Sequence, residues 1–289
     1  MSSTFEVNGN EIKFVNPVDV TKYSSVIATE KHHDRSDRYK FISSSDIVGV
    51  LEDYGWHPAK VHQTRTRVED KQGYQKHTIR FRQLNGESLI LRETIFPEIV
   101  LVNSHDGLSA IKFIAGLWRQ ICSNGLVTSE NTLTYSYRHK GSIESFIGET
   151  LRDMVTKLPT MAQKIKTFDA IDLTPDEKGI YAAAAASVKY DAEELEAKHK
   201  SINPISLLLP TRKEDAGNSL WKTFNVVQEK LTKGGKFLTR ENKRGHVVRG
   251  KAKGITNISE DLRVNRALWA LTEQMATLKG AGQPVALIT

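Results

Sequence analysis

Residues 103–125 read NSHDGLSAIKFIAGLWRQICSNG, and this stretch decides the fold. Drawn as a helix, it puts apolar side chains at the i, i+3, i+4, i+7 spacing of one buried stripe. The members of that stripe are Leu108, Ile111, Ile114, Ala115, Trp118, Ile121 and Cys122. Ser104 or Asp106 would cap the first turn, and Gly125 would end the helix in the left-handed conformation. The stretch therefore predicts a central helix that is apolar enough to lie across a sheet.

The residues before this stretch have the period-two pattern of strands. Four strands are predicted, at residues 61–68, 76–84, 88–92 and 98–103. Asn85-Gly86 predicts a tight hairpin between the second strand and the third, because both turn residues need positive φ. A helix capped by Ser43, Ser44 or Ser45 precedes the strands. We therefore expect an antiparallel β-meander with one apolar face, which the central helix covers.

The second half of the chain is mostly helical in pattern. Ser142 starts a helix that Pro159 would end, Thr174-Pro175-Asp176-Glu177 predicts a capping box, and helices begin near Ser219 and Ser259. An extended segment is predicted at residues 205–210. The fold class is therefore α+β: an antiparallel β-meander covered by a central helix, followed by a mostly helical C-terminal half.

The length and composition of the chain limit its possible domain organisation and cellular location. The chain has 289 residues, a net charge of +7 and a pI of about 9.3. We predict an N-terminal extension at residues 1–42, a single α+β domain at residues 43–279 and a flexible tail at residues 280–289. Cys122 is the only cysteine, and neither a signal peptide nor a membrane-spanning run is recognisable. We expect a protein of the bacterial host cytoplasm that does not act at a membrane.

A basic, glycine-containing stretch at residues 230–254 is the strongest functional signal. It contains nine basic residues, which are Lys230, Lys233, Lys236, Arg240, Lys243, Arg244, Arg249, Lys251 and Lys253, and its only acid is Glu241. We interpret it as a mobile loop, with a short hairpin through residues 246–248, that binds the phosphates of a nucleic acid. The alternative is a solvated, lysine-rich connection.

A second group of cations lies on the predicted sheet. Arg80 and Arg82 alternate with Ile79 and Phe81, so they would point to the open face. The full group is Arg65, Arg67, Arg80, Arg82 and Arg92. These arginines could follow a phosphate backbone, or they could form a solvated face balanced by Glu69, Asp70 and Glu93. Tyr74 or Phe237 could stack a base, whereas Trp221 and Trp269 fit the apolar stripes of helices and are assigned to the core.

No catalytic arrangement is evident. Ser104, His105 and Asp106 are consecutive, so they cannot converge as a triad. On one helix Cys122 and His105 would lie roughly 25 Å apart. The run that begins at His32-His33 could contact a metal or a phosphate, but we favour a solvated loop, because adjacent histidines without a spaced partner are weak evidence for a metal site. We expect that the protein is not an enzyme and that it requires no nucleotide or metal cofactor.

Three segments of the chain resemble a known family. VNSHDGLSAIKFIAGLWRQICSNGLV, at residues 102–127, is similar to the signature of the phage- and plasmid-encoded domain of unknown function 932. NSLWKTFNVVQEKLTKGG and VNRALWALTEQMA resemble later segments of that family, and the likeness covers residues 43–278. It implies a phage, prophage or plasmid origin and brings no catalytic residues. The predicted architecture also resembles phage single-strand annealing proteins of the Redβ, RecT and Erf kind, which is an analogy of fold.

These observations predict a single-stranded DNA-binding and annealing protein of phage or plasmid origin that acts in recombination or replication and forms a homo-oligomer. The residues expected to contact the nucleic acid are Arg65, Arg67, Arg80, Arg82, Lys230, Lys233, Lys236, Arg240, Lys243, Arg244, Arg249 and Lys251. Two alternatives remain open. One is a phage-encoded protein that binds and modulates a host protein. The other is an enzyme whose site lies at the start of the central helix, with Asn103, His105, Asp106 and Asn124.

Overall fold

The chain forms two compact units, Met1–Thr160 and Met161–Thr289. The computed structural model describes residues 5–8, 11–14, 17–36, 39–83, 86–87, 95–119, 125–127, 134–137, 142–242, 244 and 246–280. The boundary between the units falls inside the stretch that the sequence assigned to one domain. Within the described residues, each helix is too short or too polar to cross a bilayer.

The N-terminal unit is organised by an antiparallel sheet. In chain order its elements are β1 (Phe5–Asn8), β2 (Glu11–Phe14), α1 (Ser44–Asp53), β3 (Trp56–Gln63), β4 (His77–Gln83), β5 (Gly86–Glu87), β6 (Ile95–Asn103), β7 (Lys112–Arg119), β8 (Gly125–Val127), β9 (Thr134–Ser136) and the first part of α2 (Ile143–Asp169). The main sheet has the order β3-β4-β6-β7, and β8 and β9 both pair with β7. β1, β2 and β5 form a separate small sheet.

The core of this unit follows from the strand register. Ile79 of β4 pairs with Leu101 of β6, which pairs with Phe113 of β7, and all three side chains are buried. Phe113 also contacts the Phe146 ring of α2, at 5.8 Å between centroids. The predicted α+β class with an antiparallel sheet is confirmed.

The predicted central helix is wrong, because residues 112–119 form the strand β7. β7 pairs along its whole length with β6, from Ile95↔Arg119 to Val102↔Lys112. β7 is buried on both faces, as Phe113 and Ile114 show, so its sequence is a nearly continuous apolar run that also satisfies the helical spacing. The segment before β7 is a turn in which Gly107 has φ +69° and Leu108, assigned to the buried stripe, is 73% exposed. Residues 120–124 lie outside the described residues.

Other predictions for this unit have mixed outcomes. The helix α1 is confirmed, and the Ser43 Oγ accepts a hydrogen bond from the Asp46 N–H at 3.2 Å. The second and fourth strands are confirmed as β4 and β6. The first strand is displaced toward the N-terminus and ends at Gln63. The third strand at residues 88–92, with Arg92, lies outside the described residues, while Gly86 pairs with Ile12 of β2.

The C-terminal unit is mostly helical, as predicted. It contains the end of α2, then α3 (Pro175–Lys189), α4 (Ala192–Ala197), β10 (Lys200–Ile202), α5 (Pro204–Leu207), α6 (Leu220–Lys233), β11 (Gly234–Glu241), β12 (Val247–Lys253) and α7 (Ile258–Leu278). Its core holds aromatic rings in contact. The Trp269 ring packs edge-on against Phe168 and Phe224, and Phe224 stacks on Trp221 at 5.4 Å. The assignment of Trp221 and Trp269 to the core is confirmed.

The helix boundaries of this unit can be compared with the starts and ends that the sequence predicted. The capping box is confirmed: the Glu177 N–H donates to the Thr174 Oγ1, and the Thr174 N–H donates to the Glu177 carboxylate. The prediction that Pro159 ends α2 is wrong, because the buried stripe continues past it and the helix runs to Asp169. The prediction of an extended segment at residues 205–210 is wrong in its first part. That part belongs to the helix α5, whose N-terminus is capped by the Asn203 side chain.

The described residues of the basic stretch form the end of α6 and then an antiparallel hairpin of β11 and β12, so the prediction of a mobile loop is wrong. β11 and β12 pair from Gly234↔Lys253 to Glu241↔Val247, with a bulge between Gly235 and Leu238. Gly234 has φ +81°, and a Cβ at this position would meet the backbone of β12. Glycine thus lets the chain leave α6 and enter the hairpin without a break.

Candidate functional site

The β11–β12 hairpin presents a row of cations on one face. In β12 the residues Arg249, Lys251 and Lys253 are exposed, whereas Ala252, on the opposite face, is buried. Alternate residues of a strand lie about 6.6–6.8 Å apart on the same face. That separation is comparable to the spacing of successive phosphates along an extended nucleic-acid strand. Thr239, which pairs with Arg249, adds a hydroxyl to this face.

A second row of cations lies on the other face. Arg240 of β11 is directly opposite Lys200 of β10, and both are exposed. Like charges in directly opposed positions destabilise a sheet. An anionic ligand would remove that repulsion.

Several of these cations form no ion pair within the described residues. They are Lys236, Arg240, Arg244, Arg249 and Lys251, and all five are exposed. Residues 234–254 contain seven basic side chains and one acidic side chain, Glu241, which lies 3.9 Å from His199. Lys230 is half-buried at the end of α6, Lys233 pairs with Glu229 at 3.1 Å, and Lys243 lies outside the described residues. The hairpin is therefore a concentrated positive surface.

The sheet arginines do not form the predicted open row. Arg80 and Arg82 both bind the carboxylate of Glu98, at 2.5 Å for Arg80 and 2.9 Å for the Arg82 Nη2. Glu98 is completely buried and Arg82 nearly so. The face they share is not open, because Val100 and Ile114 on that face are buried as well. The assignment of Arg80 and Arg82 to an exposed phosphate-binding face is therefore wrong. Burial lowers the pKa of Arg82, which Glu98 opposes.

Arg65 and Arg67 are exposed, but they follow β3 in irregular structure and are not part of a strand. Of the two rings proposed to stack a base, Phe237 is 1% exposed and packs against Tyr190. It cannot receive a base without leaving the core, so that prediction is wrong. Tyr74 is partly exposed, and its ring lies nearly perpendicular to the His32 ring, at 5.0 Å between centroids. Phosphate contacts are thus better supported than stacking.

A buried polar network lies at the end of the N-terminal sheet. The Asn103 Nδ2 donates to the Ser44 Oγ at 2.9 Å, and the Ser44 Oγ lies 2.8 Å from the His77 Nε2. The His77 Nδ1 lies 3.1 Å from the Gln75 carbonyl oxygen, which fixes Nδ1 as the donor and Nε2 as the acceptor. This network could not be predicted from local sequence patterns, because its members come from three separate segments.

The network contains a serine and a histidine, as a nucleophile and its general base would, but both side chains are closed off from substrate. Ser44 and His77 are both 0% exposed, so a substrate could not reach the Ser44 oxygen. Asn103, His105 and Asp106, which the sequence placed at the start of a helix, are buried at the end of β6 and in the turn after it. The Asp106 Oδ1 accepts from the Leu108 N–H at 3.1 Å and so caps that turn. We read the network as a structural link between α1, β4 and β6.

Acid should weaken this link. Burial lowers the pKa of His77 and of His105 to about 4, against an ordinary value of 6.5. The unfolded chain therefore binds protons more readily, so the stabilisation is complete above pH 6.5 and is lost as the pH falls toward 4. Between pH 7 and pH 5 we expect a loss of about 2 kcal/mol per histidine in urea unfolding experiments. The His77→Gln variant keeps a donor and an acceptor and should show a smaller pH dependence, whereas an unchanged dependence would contradict the assignment.

The chain matches one described family. The family described as domain of unknown function (DUF932) matches residues 31–269. Among curated proteins, the chain is 31% identical to UPF0380 protein YafZ of Escherichia coli (strain K12) over 256 residues, which is 88% of each chain. It has the same identity and coverage with UPF0380 protein YfjQ of that organism. No solved structure matches the chain.

Proposed function

The chain belongs to the DUF932 family, whose description assigns no activity, and we propose that it binds nucleic acid without sequence preference, with single-stranded DNA as the favoured ligand. The observation that carries the proposal is the β11–β12 hairpin with its exposed cations. Arg249 and Lys251 are aligned on one face, and within the described residues neither has an acidic partner. Such cations displace counterions from a phosphate chain, which drives binding whatever the base sequence.

The preference for a single strand rests on the shape of the hairpin. A regular row of cations can follow an extended backbone, and the hydroxyls of Thr239 and Ser201 lie on the same face, 2.5 Å apart, where they can donate to phosphate oxygens. A two-stranded ribbon also fits the major groove of a duplex, so duplex DNA is the natural comparison. We further propose annealing of complementary strands, by a homo-oligomer of phage or plasmid origin that acts in recombination or replication in the bacterial cytoplasm.

The test is a titration of fluorescent oligonucleotides, single-stranded and duplex, at several salt concentrations. If about five phosphates are neutralised, the logarithm of the affinity for a single strand should fall against the logarithm of salt concentration with a slope of about −3.5. The affinity should then drop about 100-fold between 50 and 200 mM salt. A flat salt response, or no binding at the lower salt, would overturn the proposal. Tighter binding to the duplex would overturn the preference for single strands.

A further inference from the structure

Two loops of the N-terminal unit bring three metal-ligating side chains together. His32 and His33 follow one another in the first loop, and Asp70 lies in the short 3-10 helix Glu69–Lys71. One ligand atom from each lies within 4.8 Å of the other two. The His32 Nε2 is 3.1 Å from the Asp70 Oδ2, and the His33 Nδ1 is 3.7 Å from the Asp70 Oδ1. Asp70 is the spaced partner that the sequence did not reveal, 38 residues after His32.

The His32 ring is held in a fixed orientation. It is 1% exposed, so the prediction of a solvated loop is wrong for this residue. Its Nδ1 is hydrogen-bonded to the Asp34 carboxylate, and Arg35 holds that carboxylate with two hydrogen bonds of 2.8 Å. A carboxylate on the second ring nitrogen is the usual support of a metal-binding histidine, because it fixes the tautomer and leaves Nε2 free to coordinate.

We propose that the His32 Nε2, the His33 Nδ1 and the Asp70 carboxylate form a binding site for a divalent transition-metal ion of the zinc class. Ligand atoms at about 2.0–2.2 Å from a tetrahedral ion lie roughly 3.4 Å from one another. The separations of 3.1 Å from the His32 Nε2 to the Asp70 Oδ2 and of 3.7 Å from the His33 Nδ1 to the Asp70 Oδ1 lie on either side of that distance. Small changes in side-chain torsion angles would bring the three ligand atoms to the separations of a tetrahedral site.

The donor set also determines which ions the site prefers. Imidazole nitrogens suit zinc, copper, nickel and iron, whereas magnesium and calcium take oxygen ligands. Three protein ligands leave at least one position for water or a ligand from solution, and His33 and Asp70 open to solvent, with side chains 72% and 58% exposed. The ion would fasten the first loop to the turn at Glu69–Lys71. It would thereby hold the segment after β6, since the His32 N–H donates to the His105 carbonyl oxygen.

An arrangement without an ion makes a different prediction. An imidazolium at His32 could be held between Asp34 and Asp70 alone, and His33 would then have no role. Because the His33 side chain is mostly exposed, replacing it should leave the fold intact. The His33→Ala variant therefore separates the two arrangements.

The experiment titrates Zn²⁺ into the chelator-treated, full-length protein, in competition with a chromogenic chelator. Zn²⁺ should bind at one equivalent and raise the melting temperature, and Mg²⁺ at the same concentration should do neither. His33→Ala and Asp70→Asn should each weaken Zn²⁺ binding at least about 10-fold. The matched controls, His246→Ala and Asp53→Asn, replace exposed residues outside the site and should bind as the native chain does. Binding below one equivalent, or equal binding by His33→Ala and the native chain, would overturn the proposal.

Discussion

Replacing Arg249, Lys251 and Lys253 together by serine should weaken the binding of a single-stranded oligonucleotide about 100-fold at 50 mM salt. Each of these residues is exposed on the β11–β12 hairpin and forms no ion pair within the described residues. If three of about five phosphate contacts are lost, the slope of log affinity against log salt should change from about −3.5 to about −1.4. The slope is the more informative readout, because it counts the contacts removed.

A control variant separates the effect of the lost net charge from the effect of where the cations lie. The variant Arg152→Ser, Lys166→Ser, Lys213→Ser removes the same charge from exposed residues outside the hairpin. It should keep the native slope and lose little affinity, because contacts within binding distance dominate over net charge at moderate salt. Equal losses in the two triple variants would contradict a defined interface.

Cations on an edge strand also have a purely structural use, which the same variant tests. β12 is the edge of its three-stranded sheet, and lysine or arginine on an edge strand discourages pairing with another chain. If that were the only use of Arg249 and Lys251, the hairpin variant would aggregate but bind the oligonucleotide with native affinity. The proposal requires the affinity to fall in a protein that remains monodisperse and folded by circular dichroism.

The sequence predicted elements best where local chemistry decides them. The capping box at Thr174 and the cap at Ser43 depend on residues three positions apart, and both are present. It failed at residues 112–119, where a doubly buried strand and a helix share one apolar pattern. The positive φ at Gly107 shows why a helix could not run through the turn before β7. Only the pairing with β6 decides between the two structures, and pairing is not visible in local spacing.

The candidate sites also combine features that local sequence reveals with features that depend on distant residues. The density of basic residues in the hairpin can be read from the chain, and their exposure agrees with it. The partners of Arg80 and His32 cannot be read, because Glu98 lies 18 residues from Arg80 and Asp70 lies 38 residues from His32. A basic residue in a strand has the same appearance in sequence whether it faces solvent or a buried carboxylate. Long-range ion pairs therefore limit what composition can say about a binding surface.

The buried cluster of Arg80, Glu98 and Arg82 leads to the second large prediction. Glu98→Ala should destabilise the protein by about 3–5 kcal/mol, because it removes the carboxylate that compensates two largely buried guanidinium groups. Both arginines make further contacts, which places the expected cost toward the lower end of that range. Urea unfolding measures it, and an unchanged m-value would show that the loss is one of stability and not of cooperativity.

Replacing the whole cluster should cost much less than breaking it. In the variant Arg80→Met, Glu98→Leu, Arg82→Met the carboxylate and both guanidinium groups are removed together, and apolar side chains of similar volume fill a region already lined by Val100 and Ile114. We expect its stability to lie within about 2 kcal/mol of the native value. Its oligonucleotide affinity and salt slope should also be native, because arginines held on a buried carboxylate are not available to phosphates. A folded triple variant that lost affinity would instead place these arginines in the nucleic-acid interface, and the hairpin could not then be the whole of it.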